Sequence, residues 1–269
     1  MIDNLPILTD QKAYLANVPE FRPAFHMKIT DVRTTILSYE LEQPITDARF
    51  LTRRRSAVIV KISTDSGIFG IGESSSFGGP PIVTATAIEK ELKSHIMDED
   101  PTNTAMIWDK MYYGSFEHGR RGLLVSAMSG IDIALWDIKG KIAGMPIYKL
   151  LGGYSDKARA YASVGFYSPG KGVNGLVEEV SKCIEKGFSA IKVKIGGLPV
   201  RDDVERIRAV RECAGAETDI LVDANGSYNA MQAIRMAAAL DKFDIFWFEE
   251  PVHPDDKTGY AKLSRHTNI

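Results

Sequence analysis

Cysteine is scarce in this chain: two in 269 residues, Cys183 and Cys213. Both fall in stretches with helical patterning and neither sits at metal-ligand spacing. A disulfide scaffold and a cysteine metal site are therefore excluded, and reduced thiols in a cytoplasmic protein are expected. An excess of either charge is also missing. With 33 Lys and Arg against 35 Asp and Glu the formal net charge is −2, which offers no footprint for nucleic acid or an anionic membrane. No apolar stretch has the length to span a bilayer. The N-terminus lacks the basic segment and apolar run of a signal peptide. What is present is an ordinary globular composition, 44% hydrophobic and 25% charged, with length for one large domain or two medium ones.

Three regions follow from the patterning. Residues 1–26, with Pro6, Pro19 and Pro23 among mixed polar residues, read as an irregular N-terminal arm. Residues 27–153 read as an α+β domain. It opens with β-rich runs at Lys28–Val32, Ser56–Ile62 and Ile68–Glu73, the last two joined by the turn Thr64-Asp65-Ser66-Gly67. Helical patterns follow over Thr84–His95, Asn103–Tyr113 and Leu123–Ile142. In the last of these Leu123, Leu124, Ala127, Ile131, Ala134, Leu135 and Ile138 form a core-facing stripe. Residues 154–269 alternate strand and helix, with strands beginning near Arg159, Ala190, Ile220 and Ile245 and helices over Val177–Lys186 and Val204–Cys213. Such alternation predicts parallel pairing with right-handed crossovers.

The chemistry concentrates at the ends of those strands. Lys192-Val193-Lys194, Asp223-Ala224-Asn225 and Glu249-Glu250-Pro251 each follow an apolar run. Lys194 precedes Asp223 by 29 residues, and Asp223 precedes Glu249 by 26, about one βα unit each. Charges at successive strand ends converge on one rim of a parallel barrel, where catalytic groups sit in that architecture. Strand alternation puts Ile191, Val193 and Ile195 against the helices, so Lys192 and Lys194 point inward. Two buried ammonium groups demand anions nearby or a lowered pKa, and a neutral lysine is a competent general base. Asp223 and Glu249 are hard oxygen donors suited to a divalent cation such as Mg²⁺. Asn225 could hydrogen-bond a ligand. Taken singly, a Lys-x-Lys is a solvated strand face, a Glu-Glu-Pro a strand end and an Asp-Ala-Asn a turn. Their recurrence at successive strand ends points to an acid–base and metal constellation.

On these motifs the chain resembles the enolase superfamily, in its mandelate racemase and muconate lactonizing branch. Gly119-Arg120-Arg121-Gly122 and Ser129–Asp137 look like that branch's interdomain helix region. The resemblance implies an α+β capping domain followed by the first half of a (β/α)7β TIM-like barrel. It implies Lys194 as the base that removes the proton α to a carboxylate, Lys192 as its neighbour, and Asp223 and Glu249 as two of three Mg²⁺ ligands, the metal stabilising the enediolate. Family members carry a third acidic ligand on the fifth strand and often an Asp–His pair on the sixth and seventh. Here the sequence stops at His266-Thr267-Asn268-Ile269, where the fifth strand would begin, so it resembles a fragment or a truncated relative. Arg49, Arg53, Arg54 and Arg55 flank Phe50 in the first loop region, where family members contact the distal end of the substrate. A cationic, polar loop suits a polyhydroxylated anion, so dehydration of a sugar acid is expected, with a homo-oligomer when complete. The alternatives are racemisation or epimerisation of a hydroxy acid by the same proton abstraction, and a non-catalytic relative. A Schiff-base aldolase is a third, against which Asp223 and Glu249 argue.

Overall fold

The computed structural model describes residues 27–76 and 79–269. The segment 1–26, expected to form an irregular arm, lies outside the described residues. The chain divides into two compact units. Among the described residues, one comprises those from Met27 to Leu37 with Ser56–Tyr154, the other Ser38–Arg55 with Ser155–Ile269.

In the first unit β1 (Ile29–Thr46), β2 (Leu51–Thr64) and β3 (Phe69–Ser74) lie side by side in chain order. The tips of β1 and β2 belong to the second unit. β2 and β3 are antiparallel through the expected turn, where Gly67 takes φ +83°. β3 reverses the usual burial. Gly70, Gly72 and Ser74 face inward, while Phe69 and Ile71 are exposed. A long helix running across that face explains the reversal. A Cβ on Gly70 would collide with the carbonyl oxygen of Ala134, and one on Gly72 with that of Gly130, so strand and helix backbones are in direct contact.

The segment Thr84–His95, expected to be one helix, changes form along its length. α1 (Pro81–Thr86) passes into a π turn, Ala87–Glu91, and then a 3₁₀ turn, Leu92–His95. The Glu89 carboxylate anchors the π turn to β1, accepting from the Thr34 amide at 2.9 Å and its hydroxyl at 2.5 Å. α2 (Thr104–Gly114) buries Ile107 and Met111. α3 (Leu123–Ala143) buries the expected stripe except Leu123, which as the first helical residue is 44% exposed. Gly144, left-handed at φ +62°, ends α3, and the amide of Met145 caps the carbonyl of Gly140. α4 (Ile147–Leu150) closes the unit.

The second unit holds four parallel strands in the order β4 (Ala162–Val164), β5 (Ala190–Lys194), β6 (Asp219–Asp223), β7 (Ile245–Glu249). α5 (Gly172–Glu185), α6 (Val200–Ala214) and α7 (Ala230–Leu240) make the crossovers, and α8 (Lys257–Leu263) follows β7. This is the expected parallel layout, with the barrel partly present. β4 starts at Ala162 rather than near Arg159, whose guanidinium is drawn instead to Asp219 at the start of β6. α5 and α6 start about one turn before the predicted positions, because their first turns carry glycine or charge in place of apolar residues. Ile191, Val193, Ile195, Ile220 and Val222 pack against Leu176, Val180, Ile207 and Val210 of the helices, which leaves the other face of the sheet to the charged residues.

Candidate active site

The sheet register lines the charges up. Lys194 lies opposite Asp223, and Asp223 opposite Glu249, at the C-terminal ends of β5, β6 and β7. Lys192, two residues earlier, shares their face. Lys194 Nζ donates to Asp223 Oδ2 at 2.6 Å and to Asn225 Oδ1 at 3.0 Å. Lys192 Nζ donates to Glu249 Oε1 at 2.7 Å and lies 3.3 Å from Asp223 Oδ2. Asp223 is 1% exposed, and both lysines are buried. Two lysines and two carboxylates therefore share one row, buried except for the half-buried Glu249, which satisfies the demand for anions that the burial of the lysines creates.

The electrostatics decide between the two expected compensations for Lys192. Burial favours its neutral form, but the Glu249 hydrogen bond and the charges of Asp223 and Glu249 outweigh it, and the pKa is raised above the ordinary lysine value. For Asp223, burial pushes the pKa up, yet the Lys194 hydrogen bond, the Asn225 amide and the charges of both lysines bring it below the ordinary carboxylate value.

Asn225 reaches the row by a route that strand alternation did not anticipate. β6 ends at Asp223, and Asn225 is left-handed at φ +48°. Its amide donates to Asp223 Oδ1 at 2.9 Å, and that turn brings its Oδ1 to Lys194. Arg49 lies in the tip between β1 and β2, where Asp47 Oδ1 accepts from the amides of Arg49 and Phe50 at 2.7 and 2.8 Å. Its guanidinium lies against Gly226, the residue after Asn225. Arg53, Arg54 and Arg55 are not loop residues: β2 extends back to Leu51 and includes all three. Arg54 pairs with Glu40.

Sequence reasoning passed over the aromatic and buried polar groups around this row. Lys192 Nζ sits 5.4 Å from the Tyr161 ring centroid, and Tyr161 meets Trp247 edge-on. Lys194 Nζ sits 5.1 Å from the Phe166 ring centroid. Tyr161 precedes Ser163 of β4 by two residues, and that spacing was the available signal. A cleft of about 440 Å³ runs along the loop after β4 and the first turns of α5 and α6, lined among others by Phe166, Tyr167, Lys171 and Arg206. Its cations are already engaged, Lys171 with Glu179 and Arg206 with Asp203, so the cleft supplies no free charge to a ligand.

The donor chemistry of the row fits a hard divalent cation. One point, the position of Lys192 Nζ, is within 3.3 Å of carboxylate oxygens from both Asp223 and Glu249. Mg²⁺ commonly keeps several waters beside one or two protein carboxylates. Among the described residues no group of three or more His, Cys, Asp and Glu gathers into a fuller ligand set.

Comparison with known proteins agrees with this arrangement. Residues 29–152 match the family model of the mandelate racemase / muconate lactonizing enzyme N-terminal domain, and residues 175–269 match the enolase C-terminal domain-like family. The chain is 40% identical over 245 residues to the arabinonate dehydratase of Saccharolobus solfataricus, covering 90% of this chain and 65% of that enzyme. It is 39% identical over 241 residues to the D-galactarolactone cycloisomerase of Agrobacterium fabrum, covering 88% of this chain and 62% of that enzyme. It thus spans less than two thirds of the length of either. The crystal structure of a racemase from Streptomyces coelicolor A3(2) with bound magnesium superposes with a TM-score of 0.85 at 34% identity, over 89% of this chain and 67% of that one. With both domain models matched in order and the fold shared at that identity, the chain belongs to the enolase superfamily, in its mandelate racemase and muconate lactonizing branch.

Proposed function

We propose that this protein acts in Mg²⁺-dependent dehydration of a sugar acid, with Lys194 Nζ taking the proton α to the substrate carboxylate. The observation that carries the reading is the meeting of two buried lysines with two carboxylates in one row at the strand ends. The likeness to an arabinonate dehydratase supports the substrate class. Asp223 and Glu249 would hold Mg²⁺, whose charge would stabilise the anion that proton removal leaves.

The residues of the chain then have distinct tasks. Asn225 Oδ1 orients the Lys194 amine at the end of β5. Lys192 lies beside the base on the same face of the sheet, against Asp223 and Glu249. Phe166 sets its ring face against the Lys194 amine. Arg49, at the tip against Gly226, meets the distal polar end of the substrate. Lys194 Nζ takes the α-proton; the β C–O bond then breaks, the departing hydroxide takes a proton back from the Lys194 ammonium and leaves as water, and the enol that remains tautomerises to the 2-keto-3-deoxy acid.

The test is solvent deuterium exchange at Cα over a panel of sugar acids, with Mg²⁺ present. Lys194→Ala should abolish exchange. Lys194→Arg should do the same, because a guanidinium stays protonated at working pH. Exchange that persists in both variants would show that another group is the base. Racemisation or epimerisation is a second reading, favoured by the likeness to the magnesium-bound racemase structure. The product separates the two: a keto acid with loss of water, or an epimer without it.

A further inference from the structure

The most deeply buried ion pair outside the row has no task in that chemistry. Asp203 is fully buried and Arg206 is 5% exposed. Buried pairs of this kind are weak evidence for stability, because desolvation offsets much of their attraction. What distinguishes this pair is where its bonds go. Arg206 Nη1 donates to the carbonyl of Lys194 at 2.8 Å and to Asp203 Oδ1 at 2.8 Å, and Nη2 donates to the carbonyl of Gly165 at 2.6 Å. The fork thus grips the ends of β5 and β4 together. Asp203 Oδ2 accepts from the amides of Gly196 and Leu198 at 2.7 and 3.3 Å, which fixes the turn that follows Lys194.

Tyr167 joins this pair to a distant part of the sequence. Its hydroxyl donates to Asp203 Oδ1 at 2.7 Å and accepts from the Gly197 amide at 3.0 Å. Its ring lies 4.2 Å under the Arg206 guanidinium. Its backbone exchanges two hydrogen bonds with Thr46, both 2.8 Å, at the end of β1, next to the tip that carries Arg49. One set of bonds therefore runs from the Lys194 carbonyl to the Arg49 tip.

We propose that Tyr167, Asp203 and Arg206 are positioning residues that hold Lys194 and the Arg49 tip in one rigid frame. The proposal rests on the reading of Lys194 as the base, and it adds that base and distal substrate arm are set by a shared network. Arg206 suits the task because its planar guanidinium presents donors to two carbonyls and a carboxylate in one fixed fork, a geometry that a lysine's freely rotating ammonium does not hold. A base displaced by about 1 Å loses on the order of a hundredfold in rate, so a buried fork on its own carbonyl is a direct control on geometry.

The test uses Tyr167→Phe and Arg206→Lys in the full chain. Amide exchange by mass spectrometry reads residues 44–50 and 195–198. Trace acetylation, resolved by fragment ions, reads the ratio of Lys194 to Lys192 modification. Loss of one hydrogen bond to a charged group should speed exchange in both segments by roughly tenfold or more. The Lys194 to Lys192 ratio should shift in both variants. Where turnover is measurable, kcat should fall by about ten- to a hundredfold with KM little changed. Faster exchange in 195–198 alone, or an unchanged ratio, would overturn the proposal in favour of a merely structural pair. If Arg206→Lys fails to fold, Tyr167→Phe decides alone. If the wild type exchanges the α-proton of no sugar acid, the reading of Lys194 as base falls, while the acetylation ratio still decides the positioning.

Discussion

Tyr228 is buried just beyond β6, and its hydroxyl has no hydrogen-bond partner among the described residues. A buried unpaired hydroxyl costs more than it returns, while the ring keeps its edge contact with Phe248. Tyr228→Phe should therefore be neutral or stabilising by up to about 1 kcal/mol, read as a urea midpoint. Clear destabilisation would mean that the hydroxyl is satisfied. The charged row gives a pH prediction. The depressed pKa of Asp223 contributes stability that is present above the ordinary Asp value and lost as pH falls through the lower folded value. The raised pKa of Lys192 contributes stability that is present below the ordinary Lys value and lost as pH rises through the higher folded value. Their combined contribution should be flat from about pH 4 to pH 10. Asp223→Asn should cost about 3 kcal/mol at pH 7 and weaken the acid limb of a denaturation series, an unchanged limb counting against the assignment. Lys192, Lys194, Asp223 and Glu249 were legible in the sequence because strand alternation and unit spacing are geometric. Asp203 and Arg206 were not, since charges three apart on a helix usually face water. Their period with Ile207 and Val210 was the only hint of an inward face.

At the scale of the element, β3 shows how pattern and burial part company. Alternation over Phe69–Glu73 marked a strand correctly, but a hydrophobic-in rule would have buried Phe69 and Ile71. The contact with α3 demanded glycine on the inner face instead, a long-range fact that no local window contains. Gly72→Ala would place a methyl group against the Gly130 carbonyl and should cost about 3 kcal/mol. Gly67→Ala, in the turn of the same hairpin, meets only open space and should cost about 1 kcal/mol through its positive φ. Thermal melts of the two variants order them, and equal shifts would show that the strand can move away from the helix. The split of Thr84–His95 into α, π and 3₁₀ turns was likewise beyond periodicity, which registers an apolar face but not the hydrogen-bond offset.

The whole molecule presents a sheet edge at β7. No strand pairs with its outer side among the described residues, and Phe246 and Trp247 are 55% and 37% exposed. Such an edge invites association, so the 269-residue chain should sediment above its 29.7 kDa monomer mass at micromolar concentration, and Phe246→Lys should shift it toward the monomer. A monodisperse wild-type monomer would count against this. The other feature at this scale is the path of the chain. Residues 38–55 are written before most of the first unit yet fold with Ser155–Ile269, where Thr46 finds Tyr167. For gene recombination this means that the two units are not the two halves of the coding sequence. A crossover near codon 154 would give the strands that carry Lys194 a hairpin tip from another parent, mating a foreign Thr46 and Arg49 to a native Tyr167. Exchange of codons 38–55 together with the part after 154 would move the unit whole, so inherited specificity should travel with two separated stretches of DNA rather than one.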